Sequence, residues 1–392
     1  MPNQNKDNSY EEILELLAND GLGGANEALR LLLNAAMRME RERHIGAAAF
    51  ERSEQRRDYA NGYKPKTIQT RTGSLQVDVP QVRNSDFYPT ALEKGIRSER
   101  ALKLALAEMY VQGVSTRKVA AVTEELCGFE VSSSQVSRIS RELDVALEAW
   151  RTRSLGCFPY VFVDARYEKV RQDGIVKDCA VLLAIGIAEN GKREVLGVSV
   201  ALSEAEVHWR KFLKELQDRG LHGVQLITSD AHPGLEAARQ ATFPSVPWQR
   251  CQFHLQQNAS AYVPKQEMKA GVAADIRSIF DAPDRAEADR LLDKVIKSYE
   301  KSASKLAVWL MESIPEGLTV FAFPKAHRRR IRTSNSVERL SQEIKKRTKV
   351  ARLFPNEASC LRLVTAVVME ISEDWASDAP LVSFEKLKEG KK

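Results

Sequence analysis

The chain has 392 residues, 43% apolar and 29% charged, with a formal net charge of +6. That length exceeds one typical domain, and this composition buries real cores, which excludes an intrinsically disordered chain. No apolar run approaches the ~20 residues that span a bilayer, and Met1-Pro2-Asn3-Gln4-Asn5-Lys6 lacks a secretory apolar stretch, so neither a membrane nor a secreted protein is expected and the cytoplasm is the default.

Residues 1–60 read as a helical N-terminal segment, carrying Leu14, Leu16 and Leu17, then Leu29 to Leu33 with Ala35, Ala36 and Met37. It is either a small bundle or, by its excess of apolar positions, a dimer surface. Residues 61–98 form a β-hairpin segment: Thr67 to Arg71 and Ser74 to Val79 alternate around Thr72-Gly73. Its Lys64, Lys66 and Arg71 either touch phosphate or face solvent. Residues 99–152 are helical again, with a stop at Gly113, a cap at Ser115, a stop at Gly128 and a cap at Ser132 or Ser133. Three short helices with Arg117, Lys118, Arg138 and Arg141 near their turns resemble a helix-turn-helix DNA-binding domain.

Residues 153–256 change character. An apolar run from Phe158 to Val163 ends at Asp164, and strand-like runs Cys179–Ala188 and Glu194–Leu202 flank Asn190-Gly191, a strong hairpin signal. A helix over Glu204–Arg219 follows, then a strand ending at Asp230, a short helix over Gly234–Gln240 and a strand over Val246–Arg250. The order βββαβαβ predicts a mixed sheet whose fourth strand returns through a helix to lie parallel to the first. Asp164 and Asp230 then stand at neighbouring strand ends. Residues 257–320 carry helical periodicity and almost no strand signal, which predicts an all-helical insertion in a catalytic domain that resumes over 321–376, before a tail at 377–392.

Between Lys325 and Arg352 eleven Lys and Arg face two Glu, so the rest of the chain is net negative. Such a block is a solvated helix face or a polyanion-binding surface. Its overlap with Glu338 favours DNA, with Arg328, Arg329, Arg330, Arg339, Lys345, Lys346 and Lys349 as contacts. Thr333, Ser334 or Asn335 caps the Glu338 helix. Val337, Leu340 and Ile344 form its buried stripe, while Glu338, Gln342, Lys345 and Lys349 share an adjacent face.

Two strand-end aspartates and a helical glutamate that converge would cage two divalent ions in hard oxygen ligands, the equipment for cutting and joining phosphodiesters. Asp164 would bridge the ions, Asp230 would complete one shell and Glu338 the other. Five scattered cysteines fit reduced thiols. Cys251-Gln252-Phe253-His254 suggests zinc, but no second Cys/His pair lies at finger-like spacing, so a structural zinc is not expected. His232 contacts phosphate or caps a helix.

The ordered set Asn61-Gly62-Tyr63, Thr70 to Leu75, Val163-Asp164-Ala165 with Tyr167 and Arg171, Ser229-Asp230-Ala231 with Gly234-Leu235, Arg250-Cys251 with His254 and Asn258, Thr333 to Leu340, and Phe354-Pro355-Asn356 resembles the bacterial Mutator-type insertion-sequence transposases. One departure is Gln257, which stands where many relatives carry arginine. The resemblance implies an α/β fold with an RNase H-like mixed-sheet core. It implies Asp164, Asp230 and Glu338 as the catalytic and metal-binding triad, with Cys251, His254 and Asn335 in support. It also implies two Mg²⁺ ions (Mn²⁺ able to substitute), double-stranded DNA as terminal inverted repeats and target, a homodimer or higher multimer, and no small-molecule substrate. Such a protein would join the nucleoid when bound to DNA. The alternatives are a catalytically inactive, transposase-derived DNA-binding regulator and a general RNase H-like nuclease.

Overall fold

The computed structural model describes residues 8–70, 73–92, 100–112, 114, 116–127, 129, 131–349 and 353–384. Arg71 and Thr72 of the expected hairpin turn, Gly113, Ser115, Gly128 and Arg352 lie outside the described residues. The chain divides into two compact units, Met1–Glu142 and Leu143–Lys392.

The first unit begins with helices α1 (Asn8–Asp20) and α2 (Ala25–Ile45), then the antiparallel pair β1 (Ala60–Thr70) and β2 (Gly73–Val82). Alternation places Leu75, Val77 and Val79 of β2 on one face, where they pack with Met37 of α2 and Leu92. The base of the hairpin is closed by Asp58, whose carboxylate accepts from the Tyr59, Asn84 and Ser85 amides and the Ser85 hydroxyl. The Ser85 hydroxyl, and then the three amides, overcome burial and hold this carboxyl down at about 2. Helices α3 (Arg100–Val111), α4 (Thr116–Cys127) and α5 (Ser133–Arg141) follow. Ser132, not Ser133, is the cap of α5, in a capping box with Gln135.

The second unit opens with α6 (Asp144–Arg151). Sequence pattern grouped this helix with the preceding helices; in the structure the unit boundary lies before it, because Arg362 of α15 (Glu357–Ser377) clamps Asp144 through two bonds of 2.6 and 2.8 Å. Next come β3 (Tyr160–Gln172), β4 (Ile175–Ile187), β5 (Arg193–Ala201), α7 (Glu206–Asp218), β6 (Leu226–Ser229), α8 (Pro233–Thr242) and β7 (Trp248–Arg250). The sheet order is β5-β4-β3-β6-β7, with β3, β4 and β5 antiparallel and β6 parallel to both β3 and β7. The protein is thus mixed α/β, with the predicted strand order. One expectation needs correction. Asp164 does not end its strand: β3 runs eight residues further, because Asp173 and Gly174, at φ 51° and 80°, make a two-residue turn into β4.

The sheet is covered on both faces. Val161 and Val163 of β3 pack with Ala180, Leu182 and Ala184 of β4 against Trp209, Phe212, Leu213 and Leu216 of α7 and Leu235 of α8. Tyr160 and Phe162 point the other way, with the Tyr160 hydroxyl 2.8 Å from His327 Nδ1. On that side α15 lies against β5, where Ser372 Oγ accepts from the Val195 amide at 3.1 Å.

Helices α9 (Gln252–Ala259), α10 (Lys269–Phe280), α11 (Arg285–Tyr299) and α12 (Ser304–Ser313), with short 3₁₀ turns, make up the excursion after β7. Then α13 (Lys325–Ile331) and α14 (Asn335–Thr348) lead back to the sheet. The excursion leaves and returns at one place: Gln252 N–H donates to Arg332 O at 3.1 Å, and Thr228 Oγ donates to Ile331 O at 2.8 Å. No described helix is long and apolar enough to cross a membrane.

Candidate active site

Parallel pairing of β3 with β6 ends at Phe162 opposite Thr228. Two residues further along come Asp164, still within β3, and Asp230, the residue after β6, and the matched register brings these carboxylates near enough for the charge of one to act on the other. Asp164 is on the face of β3 shared by Tyr160 and Phe162, and its Oδ1 accepts from the Ala165 amide at 2.8 Å. Burial, and then the charge of Asp230, push its carboxyl up to about 7; Glu338 adds to the rise, while the Ala165 amide and His254 oppose it.

The same face of β3 also fixes the glutamate. Arg166 donates to the Ser341 carbonyl in α14 and pairs with Glu168, which in turn accepts from Thr348 Oγ at 2.8 Å. Asp164, Arg166 and Glu168 stand two residues apart, so one strand carries the carboxylate and both clamps for the helix above it. Val337, Leu340 and Ile344 are buried, as expected from their spacing. Glu338 sits in the first turn of α14, where its amide donates to Ser334 O at 3.0 Å. Ser334 occupies the cap position but its hydroxyl makes no cap bond. It turns instead to Cys251, with Ser334 N and Oγ each 3.3 Å from the sulfur, and lies 3.5 Å from Glu338 Oε1.

Cys251 follows β7 at the cap position of α9, fully buried, with its amide bonded to Ser229 O at 2.7 Å. Burial alone would raise this thiol; the polar contacts with His254 and Ser334 outweigh it and bring the thiol below its ordinary value. His254, one turn into α9, is pushed up to about 9, chiefly by the Cys251 sulfur and against its own desolvation, with Glu338 and Asp164 contributing. Its Nε2 is 3.6 Å from Glu338 Oε1. One donor atom from each of Cys251, His254 and Glu338 falls within 4.8 Å of the others.

The fold therefore gathers Asp164, Asp230, Glu338, Cys251 and His254 into one electrostatic cluster from four separate segments. Arg166 and Glu168 were not picked out from sequence, and Ser334 only as one candidate cap of the Glu338 helix. The period-two run after Asp164 was the available signal for the first two; nothing local marked Ser334 as a partner of Cys251. His232 holds the cap position of α8 without a side-chain cap bond, and its Nδ1 is 3.9 Å from Glu204.

The basic residues divide by surroundings. Arg329, Arg330, Arg339, Lys345 and Lys349 are exposed, as is Asn335, and Lys346 pairs with Glu343 at 2.5 Å. Arg328 differs: its guanidinium donates to the carbonyls of Phe323, Pro283 and Phe321 at 2.9–3.0 Å and so ties together the excursion and its return. In the first unit Lys118, Arg138 and Arg141 are exposed, Arg117 belongs to α4, and Arg138 lines a cavity with Lys64, Lys66 and Lys103.

A family model described as "Transposase, Mutator family" matches residues 3–378. The chain belongs to the Mutator family of transposases. It is similar to the transposase for insertion sequence element IS406 of Burkholderia multivorans, at 56% identity over 96% of this chain and 98% of that one. The transposase for ISRM5 of Rhizobium meliloti is 42% identical over 94% of this chain and 93% of its own. That for IS256 in transposon Tn4001 of Staphylococcus aureus is 35% identical over 97% and 98%. Such coverage matches this Mutator-family chain to insertion-sequence transposases through both of its units.

Proposed function

We propose that this chain binds the terminal inverted repeats of an insertion sequence and catalyses DNA strand cleavage and strand transfer, with Asp164, Asp230 and Glu338 as an Asp-Asp-Glu triad on an RNase H-like core. The observation that carries the reading is the state of Asp164. A buried carboxyl raised to about 7 by desolvation and by the neighbouring Asp230 is a site with excess negative charge, the condition a cation relieves.

The donor set fits divalent ions of the magnesium class, since Asp164, Asp230 and Glu338 offer only carboxylate oxygens. When bound, two such ions would activate the attacking oxygen and stabilise the leaving one. The chain's own residues do the positioning. The register of β3 and β6 holds the two aspartates together, and the Arg166 and Glu168 clamps set the pitch of α14 and with it Glu338. The exposed cations along α14 suit a phosphate backbone, and the exposed Lys118, Arg138 and Arg141 of the first unit suit recognition of element ends. The excursion after β7 stands as an all-helical insertion in the catalytic domain. A homodimer or higher multimer would hold two ends at once.

The test is incubation of the full chain with Mg²⁺ and DNA carrying element ends. Nicks at the element boundary followed by joining to a second duplex are expected. Binding without nicking would replace this reading with that of an inactive, transposase-derived regulator. Cleavage indifferent to the terminal repeats would replace it with a general nuclease.

A further inference from the structure

Beyond the oxygen-only triad, the donors beside it have a different chemistry. Cys251 supplies a buried sulfur just after β7, His254 an imidazole one turn later, and Glu338 a carboxylate from a helix 84 residues further along the chain. Their donor atoms lie within 4.8 Å of one another. A tetrahedral zinc ion with bonds of about 2.0–2.3 Å sets its ligands roughly 3.3–3.8 Å apart, so a small inward movement completes the shell. His254 Nδ1 is buried and makes no hydrogen bond of ordinary geometry, although its ring lies beside the Cys251 sulfur and the Glu338 carboxylate. Mixed sulfur, nitrogen and oxygen donors select zinc, cobalt or cadmium over magnesium, which takes oxygen alone.

We infer that Cys251, His254 and Glu338 form a binding site for one thiophilic divalent ion of the zinc class, with a fourth position open to water. Ligation takes the thiolate and the neutral imidazole, so ion binding releases to solvent the proton that the Cys251–His254 pair carries. The zinc-finger pattern is absent from the sequence, and Glu338 replaces the missing second pair through the fold. The site depends on the proposed function only in that Glu338 would be shared. An ion held here draws that carboxylate away from the aspartates, so zinc acts as an inhibitor of magnesium-dependent cleavage.

Binding is read without DNA, by titrating the metal-free full chain with Co²⁺ and following the sulfur-to-cobalt charge-transfer band. One ion per chain is expected, displaced by Zn²⁺ but not by excess Mg²⁺. Cys251→Ser should abolish the band, whereas Cys127→Ser and Cys157→Ser keep it. Glu338→Gln should weaken cobalt binding by at least the about 10–100-fold that loss of an outer partner costs. Circular dichroism checks that each variant is folded. No band in the wild-type chain, a band that survives Cys251→Ser in a folded variant, or unchanged affinity in Glu338→Gln overturns the inference. These results stand whether or not the chain cuts DNA. In a chain that does cut, Zn²⁺ should stop cleavage and a chelator followed by Mg²⁺ should restore it; cleavage undiminished at saturating zinc overturns the inhibitory role.

Discussion

Asp164 and Asp58 are both largely buried aspartates, and their surroundings drive them in opposite directions. Asp164 has one amide donor and a second carboxylate beside it; Asp58 has three amides and a hydroxyl. Asp164→Asn keeps shape and removes the charge, so cleavage of element-end DNA should fall about 1000-fold or more, the several kcal/mol of charge stabilisation at stake. DNA binding, measured by mobility shift, should stay within about twofold, because the proposed phosphate contacts lie elsewhere. For Asp58 the folded-state value lies below the ordinary 3.8, at about 2. Its contribution is therefore complete above about pH 4 and is lost as the pH falls towards 2. Asp58→Asn should be less stable at neutral pH and show a shallower acid loss across that window in urea titrations of the first unit. Equal slopes for the two proteins would count against the carboxylate's role.

Helix α14 joins two tasks, holding Glu338 at its first turn and exposing Lys345 and Lys349 beyond. Replacing both lysines by alanine should weaken DNA binding and reduce the salt slope by about 0.9 for each lost phosphate contact, about 1.8 in all. An unchanged slope would make them ordinary solvated residues. The β4–β5 turn gives a second case. Gly191 has φ 80°, and a Cβ there would come 1.9 Å from the Val382 carbonyl, so Gly191→Ala should cost about 2 kcal/mol or more in chemical denaturation. Asn190-Gly191 was legible in sequence because a tight turn writes its backbone demand into residue type: in the connection over 188–192 it is Gly191 that takes the positive φ. The strand order was legible for the same kind of reason, since each element carries its own period. The reach of β3 past Asp164 was not read, although Asp173-Gly174 signals a turn just as Asn190-Gly191 does. The charged residues beyond Asp164 broke the apolar run and hid the strand. Ser334 and Glu338 meeting Cys251 could not be read, because that contact is made by packing and no local rule encodes it.

At the scale of the molecule the chain forms two compact units, and the proposed function divides its work between them. A fragment spanning 143–392 contains the whole sheet, its covering helices and the carboxylate cluster, so it should fold alone with a single cooperative transition. It should bind DNA without preference for element ends; retained preference would relocate end recognition to the catalytic unit. The helical excursion between β7 and α14 belongs to this unit, yet the bonds at its neck, Gln252 to Arg332, Thr228 to Ile331 and Ser334 to Cys251, close it where it begins. A loop tied at the neck can change size with little effect on what lies below the knot. Doubling its length adds only about 0.6 kcal/mol of closure entropy. Selection is thus free to enlarge, trim or re-equip this helical module for new tasks, while the glutamate beneath it keeps its address.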